Sequence, residues 1–108
     1  MTIRQEKVCA LLQNIVSSFI SHESIALSGT LISVTKIEIT SDFKKAKIFI
    51  NVFPEDKEKE TLNLLKNRLS DLKQYVKTRI KMKFLPFFEI EIDKGEKSRQ
   101  RIEEILNQ

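Results

Sequence analysis

The chain has 108 residues, with 19 Lys and Arg against 15 Asp and Glu and an apolar content of 41%. That length fits one domain spanning residues 1–108, and the apolar share supports one modest core. No apolar run approaches the ~20 residues of a membrane span, and charges at Arg4, Glu6 and Lys7 stand where a signal peptide would be apolar, so a cytoplasmic protein is expected.

The first predicted element is an amphipathic helix from Ile3 to Ser21. Val8, Leu11, Leu12, Ile15, Val16, Phe19 and Ile20 fall at steps of three and four residues, the spacing of one helix face. Cys9 is the only cysteine, so it can form no internal disulfide, and it sits beside that stripe as a small, partly buried thiol. His22, the only histidine, falls in the polar run Ser21-His22-Glu23-Ser24 that closes the helix, where a cap or surface role suits it better than catalysis.

Leu31 to Thr40 is largely β-branched and reads as a strand. Ile32 and Val34 share one parity, whereas Ile37 and Ile39 take the other, which predicts a bulge or twist near Lys36. Ser41 to Lys44 forms a turn. Lys45 to Phe53 then alternates Ala46, Ile48, Ile50 and Val52 with Lys45, Lys47, Phe49 and Asn51. It is a half-buried strand that makes a hairpin with the first.

Pro54 breaks that strand. Glu55, Asp56, Glu58 and Glu60 then cluster where a helix N-terminus favours negative charge. The helical stretch that follows, Leu62 to Pro86, has an apolar seam at Leu62, Leu65, Leu69, Leu72, Val76 and Ile80. Its other faces carry Lys66, Arg68, Lys73, Lys77, Arg79, Lys81 and Lys83 against one acid, Asp71. The segment holds a formal charge of +6, more than the +4 of the whole chain. Ser70 and Asp71, both good N-cap residues, predict a break into two helices there. Pro86 is expected to end the second helix, with Lys81 and Lys83 in its last turn or just beyond. Phe87 to Ile92 is a third strand, residues 93–96 a turn, and Ser98 to Leu106 a short helix.

The predicted class is α+β, with helices on one face of a three-stranded mixed sheet. The other face, with Lys45, Lys47, Phe49, Asn51, Phe87, Glu89 and Glu91, is mixed and exposed. Enzyme motifs are missing: Gly29 and Gly95 make no phosphate loop, and Glu89 and Glu91 have no histidine or metal ligand near them. No catalysis, cofactor or metal is expected. A helix that packs on one side and is basic on the other can instead neutralise phosphates. Tyr75, Phe84 and Phe87 are candidates for base stacking, although core packing would use them equally well. A protein module that meets an acidic partner is the alternative.

Several stretches together resemble the ribosome-binding factor A family. They are the first helix from Arg4; Ile32 to Thr40 with Ser41-Asp42 and then Ala46 to Ile50; and Lys81 to Pro86 followed by Phe88, Ile90 and Asp93. The resemblance implies a type II KH-like fold in which a helix–kink–helix replaces the usual GxxG loop. It also implies a monomer that binds ribosomal RNA of the small ribosomal subunit late in maturation, supporting 5'-end processing of the precursor RNA. The RNA-binding residues would be Lys66, Arg68, Ser70, Lys73, Lys77, Arg79, Lys81 and Lys83. Where the family carries Ala-x-Gly at the kink, this chain has Arg68 and Ser70.

Overall fold

A computed structural model describes residues 2–22 and 29–95. Their order is α1 (Ile3–His22), β1 (Leu31–Ile39), β2 (Lys45–Phe53), a 3-10 turn at Glu55–Lys57, α2 (Glu58–Asn67), α3 (Leu69–Lys77) and β3 (Phe87–Ile92). The helix expected at Ser98 to Leu106 lies outside the described residues.

The sheet order is β1-β2-β3, with β1 antiparallel and β3 parallel to β2. The phase change in β1 is a bulge between Val34 and Lys36. Its consequence is that Ile32, Val34, Ile37 and Ile39 pair with Val52, Ile50, Ile48 and Ala46, so both parities of β1 reach the same face. Thr35, the extra residue, donates from its hydroxyl to Asp93 Oδ2 at 2.6 Å, and the same oxygen lies 3.2 Å from the Phe49 carbonyl. The Asp93 amide donates to the Ile50 carbonyl at 2.8 Å. The bulge is therefore tied across β2 to the end of β3.

On the core face, Ile48, Ile50, Leu12, Val16 and Val76 are fully buried, and Phe88 and Ile90 close the β3 side. Burying each large aliphatic side chain contributes about 1.5–3 kcal/mol. α1 packs on β1 and against α3, whereas α2 packs on β3. The face of α1 turned inward carries Gln5, Cys9, Leu12, Val16 and Phe19, with Ile15 and Ile20 beside them. Leu11, expected in the stripe, is 44% exposed, because the buried line runs through Cys9 and Leu12 and turns Leu11 away. The open face is polar: Lys45 pairs with Glu89 at 3.7 Å, Lys47 with Glu91 at 3.6 Å, and the Lys36 ammonium lies 4.7 Å from the Phe49 ring centre.

Three local expectations are corrected. The break between the second and third helices falls at Arg68, not at Ser70-Asp71. Arg68 leaves the helical region at φ −105°, ψ 10°, and its amide turns to the Leu65 carbonyl at 3.0 Å. Asp71 caps no amide. Its carboxylate instead accepts from Arg68 Nε at 2.6 Å, in the first turn of α3 where negative charge is favoured. The third helix also stops at Lys77, well before Pro86. Thr78 Oγ1 and an Arg79 guanidinium nitrogen both donate to the Tyr75 carbonyl, at 2.9 and 3.1 Å, and the Arg79 and Ile80 amides both turn to Val76 O. These bonds satisfy the Tyr75 and Val76 carbonyls at the helix end, and residues 79–86 cross to β3 without helix. Finally, residues 94–95 already have helical backbone where a turn is expected. No helix among the described residues is long and apolar enough to cross a membrane.

Candidate nucleic-acid interface

The start of α1 is set by a reciprocal cap. The Thr2 amide donates to Gln5 Oε1 at 2.9 Å, and the Gln5 amide donates to Thr2 Oγ1 at 3.1 Å. This is a capping box, legible in the spacing Thr2-x-x-Gln5 but missed by the apolar periodicity alone. Gln5 also reaches the Ile39 carbonyl at 3.5 Å, which places Arg4 beside the end of β1.

The turn between β1 and β2 is fixed by side chains. Thr40 Oγ1 donates to Asp42 Oδ1 at 2.6 Å, and the Lys44 amide donates to the same oxygen at 3.0 Å. These two bonds hold the Asp42 carboxyl below its ordinary range. Phe43 adopts φ 59°, a left-handed conformation that costs a non-glycine residue about 1–2 kcal/mol. Its ring meets the Arg4 guanidinium at 5.0 Å.

Because β3 runs parallel to β2, its first residue returns to this same end of the sheet. The Phe87 amide donates to the Lys44 carbonyl at 2.8 Å. The 81–85 segment therefore lies against the turn and the start of α1. Together they frame a groove of about 560 Å³ that contains Arg4, Phe43, Lys44, Lys81, Lys83 and Phe84.

The eight residues singled out by sequence fall into separate places. Lys66, on α2, lines a shallow depression with Leu69 and the β3 residues Phe87, Glu89 and Glu91. Ser70, Lys73 and Lys77 are exposed on α3. Arg68 turns toward α1, whereas Arg79 folds back on the end of α3. Arg68 lies 5.7 Å from the Phe19 ring centre, and Arg79 stacks on Tyr75 at 3.5 Å. Lys81 and Lys83 are exposed on the segment after α3, and only these two join the groove at the start of α1. No hydrogen bond or ion pair to a described residue engages the side chains of Lys66, Lys73, Lys77 or Lys81.

The aromatic candidates divide as well. Tyr75 is structural: its ring packs on Phe19 at 5.2 Å, and its hydroxyl lies 2.9 Å from Ser18 Oγ. Phe84 and Phe87, by contrast, are 76% and 64% exposed. His22 Nδ1 lies 2.9 Å from the Ser18 carbonyl, a contact that belongs to the helix end. Cys9 is buried, and that burial pushes its thiol pKa up, away from the reactive thiolate. Among the described residues, no group of three or more His, Cys, Asp or Glu side chains could hold a metal ion.

Comparison with known proteins yields a consistent set of matches. A family model described as ribosome-binding factor A matches residues 4–106. A ribosome-binding factor A from Caldicellulosiruptor bescii is 30% identical over 97% of this chain and 83% of its own length. One from Clostridium kluyveri is 35% identical over 73% of this chain and 66% of its own length. Among solved structures, the crystal structure of ribosome-binding factor A from Thermus thermophilus superposes with a TM-score of 0.72 at 21% identity, covering 82% of this chain and 93% of that one. A Thermotoga maritima protein solved by NMR gives 0.73 at 12% identity, over 82% and 86% of the two chains. The two structures support the fold: helices on one face of a three-stranded mixed sheet.

Proposed function

The chain belongs to the ribosome-binding factor A family, and from that premise we propose that it is a ribosome-associated factor which binds the RNA of the small ribosomal subunit during late maturation. It acts as a monomeric, single-domain cytoplasmic protein and catalyses nothing. It supports 5'-end processing of the precursor RNA by shaping the particle on which nucleases work.

One observation carries this proposal beyond the family name. The stretch from Leu62 to Pro86 holds a formal charge of +6, and its lysines at 73, 77, 81 and 83 are all exposed. Such a surface gains affinity for RNA by releasing the counterions condensed on phosphates. An acidic protein partner is a weaker fit for the other large exposed surface. The open sheet face already neutralises its lysines with Glu89 and Glu91.

The test is co-sedimentation with small ribosomal subunits in a sucrose gradient. The protein should travel with the subunits at low salt, and the bound fraction should fall as salt rises. Replacing Lys73, Lys77 and Lys81, all exposed, together with Glu should abolish binding while the protein still melts like the parent. Retention at the top of the gradient at low salt would refute the proposal, and nuclease-insensitive association would favour the acidic partner.

A further inference from the structure

The geometry points to a single-strand site: the groove between the start of α1, the β1–β2 turn and the 81–85 segment takes an unpaired stretch of RNA, with one base stacked on Phe84 and the adjoining phosphates held by Arg4, Lys44, Lys81 and Lys83. This inference rests on the RNA-binding function proposed above and names the form of RNA that one part of the surface receives.

Phe84 is the central observation. It is 76% exposed, although the residues around it in sequence are anchored: Met82 and Leu85 are half-buried and Pro86 is fully buried. The segment is thus held down on both sides while its largest apolar ring faces solvent. Lys83 places its ammonium 5.6 Å from the centre of that ring. An exposed ring beside the Lys83 ammonium, in a groove that also holds Arg4, Lys44 and Lys81, suits a nucleobase with its phosphate. The base covers the π-face, and the phosphate meets the charge.

The charge of the groove is one-sided. Among the described residues that line it, Arg4, Lys44, Lys81 and Lys83 stand against Asp42 alone. The Asp42 carboxylate is already turned into its own loop, accepting from the Thr40 hydroxyl and the Lys44 amide. A paired base keeps its face inside the helical stack and cannot reach Phe84, so the strand must be unpaired. An acidic peptide would meet the cations but would leave the ring uncovered. Lys73 and Lys77, on α3 outside the groove, have no aromatic neighbour of this kind and serve any phosphate backbone equally.

The experiment compares an unpaired RNA oligonucleotide of about ten residues with a duplex of the same length, by fluorescence anisotropy at about 50 mM salt. The full chain, Phe84→Leu and Phe84→Trp are measured. Phe84→Leu should weaken unpaired RNA by about five- to a hundredfold. Duplex binding should be unchanged, and Phe84→Trp should bind unpaired RNA at least as well as the parent. Because Phe84 is largely exposed, both variants should melt like the parent. Equal weakening of both RNAs by Phe84→Leu, or no weakening of either, overturns the inference. Binding of polyglutamate with the same dependence on Phe84 also overturns it. Small-subunit co-sedimentation separates the two levels. A parent that co-sediments but ignores unpaired RNA removes the groove alone. A parent that binds unpaired RNA through Phe84 but never co-sediments removes the ribosomal role alone.

Discussion

Replacing Lys73, Lys77 and Lys81 together with Gln should flatten the salt dependence of RNA binding without harming the fold. The three side chains are exposed, and no described residue forms a hydrogen bond or ion pair with them. Each is therefore available to one phosphate. A phosphate contact contributes roughly 0.7 to the slope of log affinity against log salt for single strands and roughly 0.9 for duplexes. Three such contacts contribute about 2–3. Between about 50 and 200 mM salt, the affinity gap between parent and variant should then close by roughly 20- to 40-fold. Arg79 is left out deliberately. Its guanidinium donates to Tyr75 O and Thr78 Oγ1 and stacks on the Tyr75 ring, so its loss would damage the end of α3. Stability of the triple variant should stay within about 0.5 kcal/mol of the parent. The assay is anisotropy titration against structured RNA at several salt concentrations, with thermal melts alongside. An unchanged slope at unchanged stability would show that these lysines are only a solvated face.

Three further outcomes follow from the local geometry. Thr35→Val removes the hydroxyl bonded to the buried Asp93 carboxylate, so the fold should lose about 1.5 kcal/mol and melt roughly 6–10 °C lower; an unchanged melting curve would mean that the bulge needs no such tie. The Asp42 carboxyl, lowered first by the Thr40 hydroxyl and then by the Lys44 amide, should titrate by NMR below its ordinary 3.8. Its contribution to the turn is therefore fully present above the ordinary carboxylate value and is lost as pH falls through the lowered one. Asp42→Asn should remove that acid limb, and a titration at or above 3.8 would contradict the bonding described. Cys9, whose thiol is raised above its ordinary 9.0 chiefly by burial, should alkylate far more slowly at neutral pH in the folded protein than in denaturant; equal rates would place it at the surface.

The strands were legible because alternation and β-branching act locally. Even the parity switch between Val34 and Ile37 announced the bulge, because a one-residue insertion is what brings both sets to one face. The position of the helix break was displaced by two residues. Ser70 and Asp71 are good caps by composition, but the side chain of Arg68 captures Asp71, and the backbone turns at Arg68 instead. The end of α3 was hidden for a similar reason. The apolar seam continues to Ile80, and the hydroxyl of Thr78 and the guanidinium of Arg79 stop the helix anyway. The basic residues were visible, but not their grouping. Arg4, Lys44 and Lys83 are far apart in sequence and meet only because β3 returns parallel to β2. Nothing in the local pattern around Phe84 distinguishes it from Phe88, which is buried on the core face.

Crosslinking of the protein to RNA in cells, followed by sequencing of the attached RNA, tests the ribosomal role most directly. Crosslinks should concentrate on small-subunit ribosomal RNA, be enriched in its precursor forms, and depend on Lys73, Lys77 and Lys81. Crosslinks spread evenly over messenger and large-subunit RNA, or their absence from the small subunit, would contradict it.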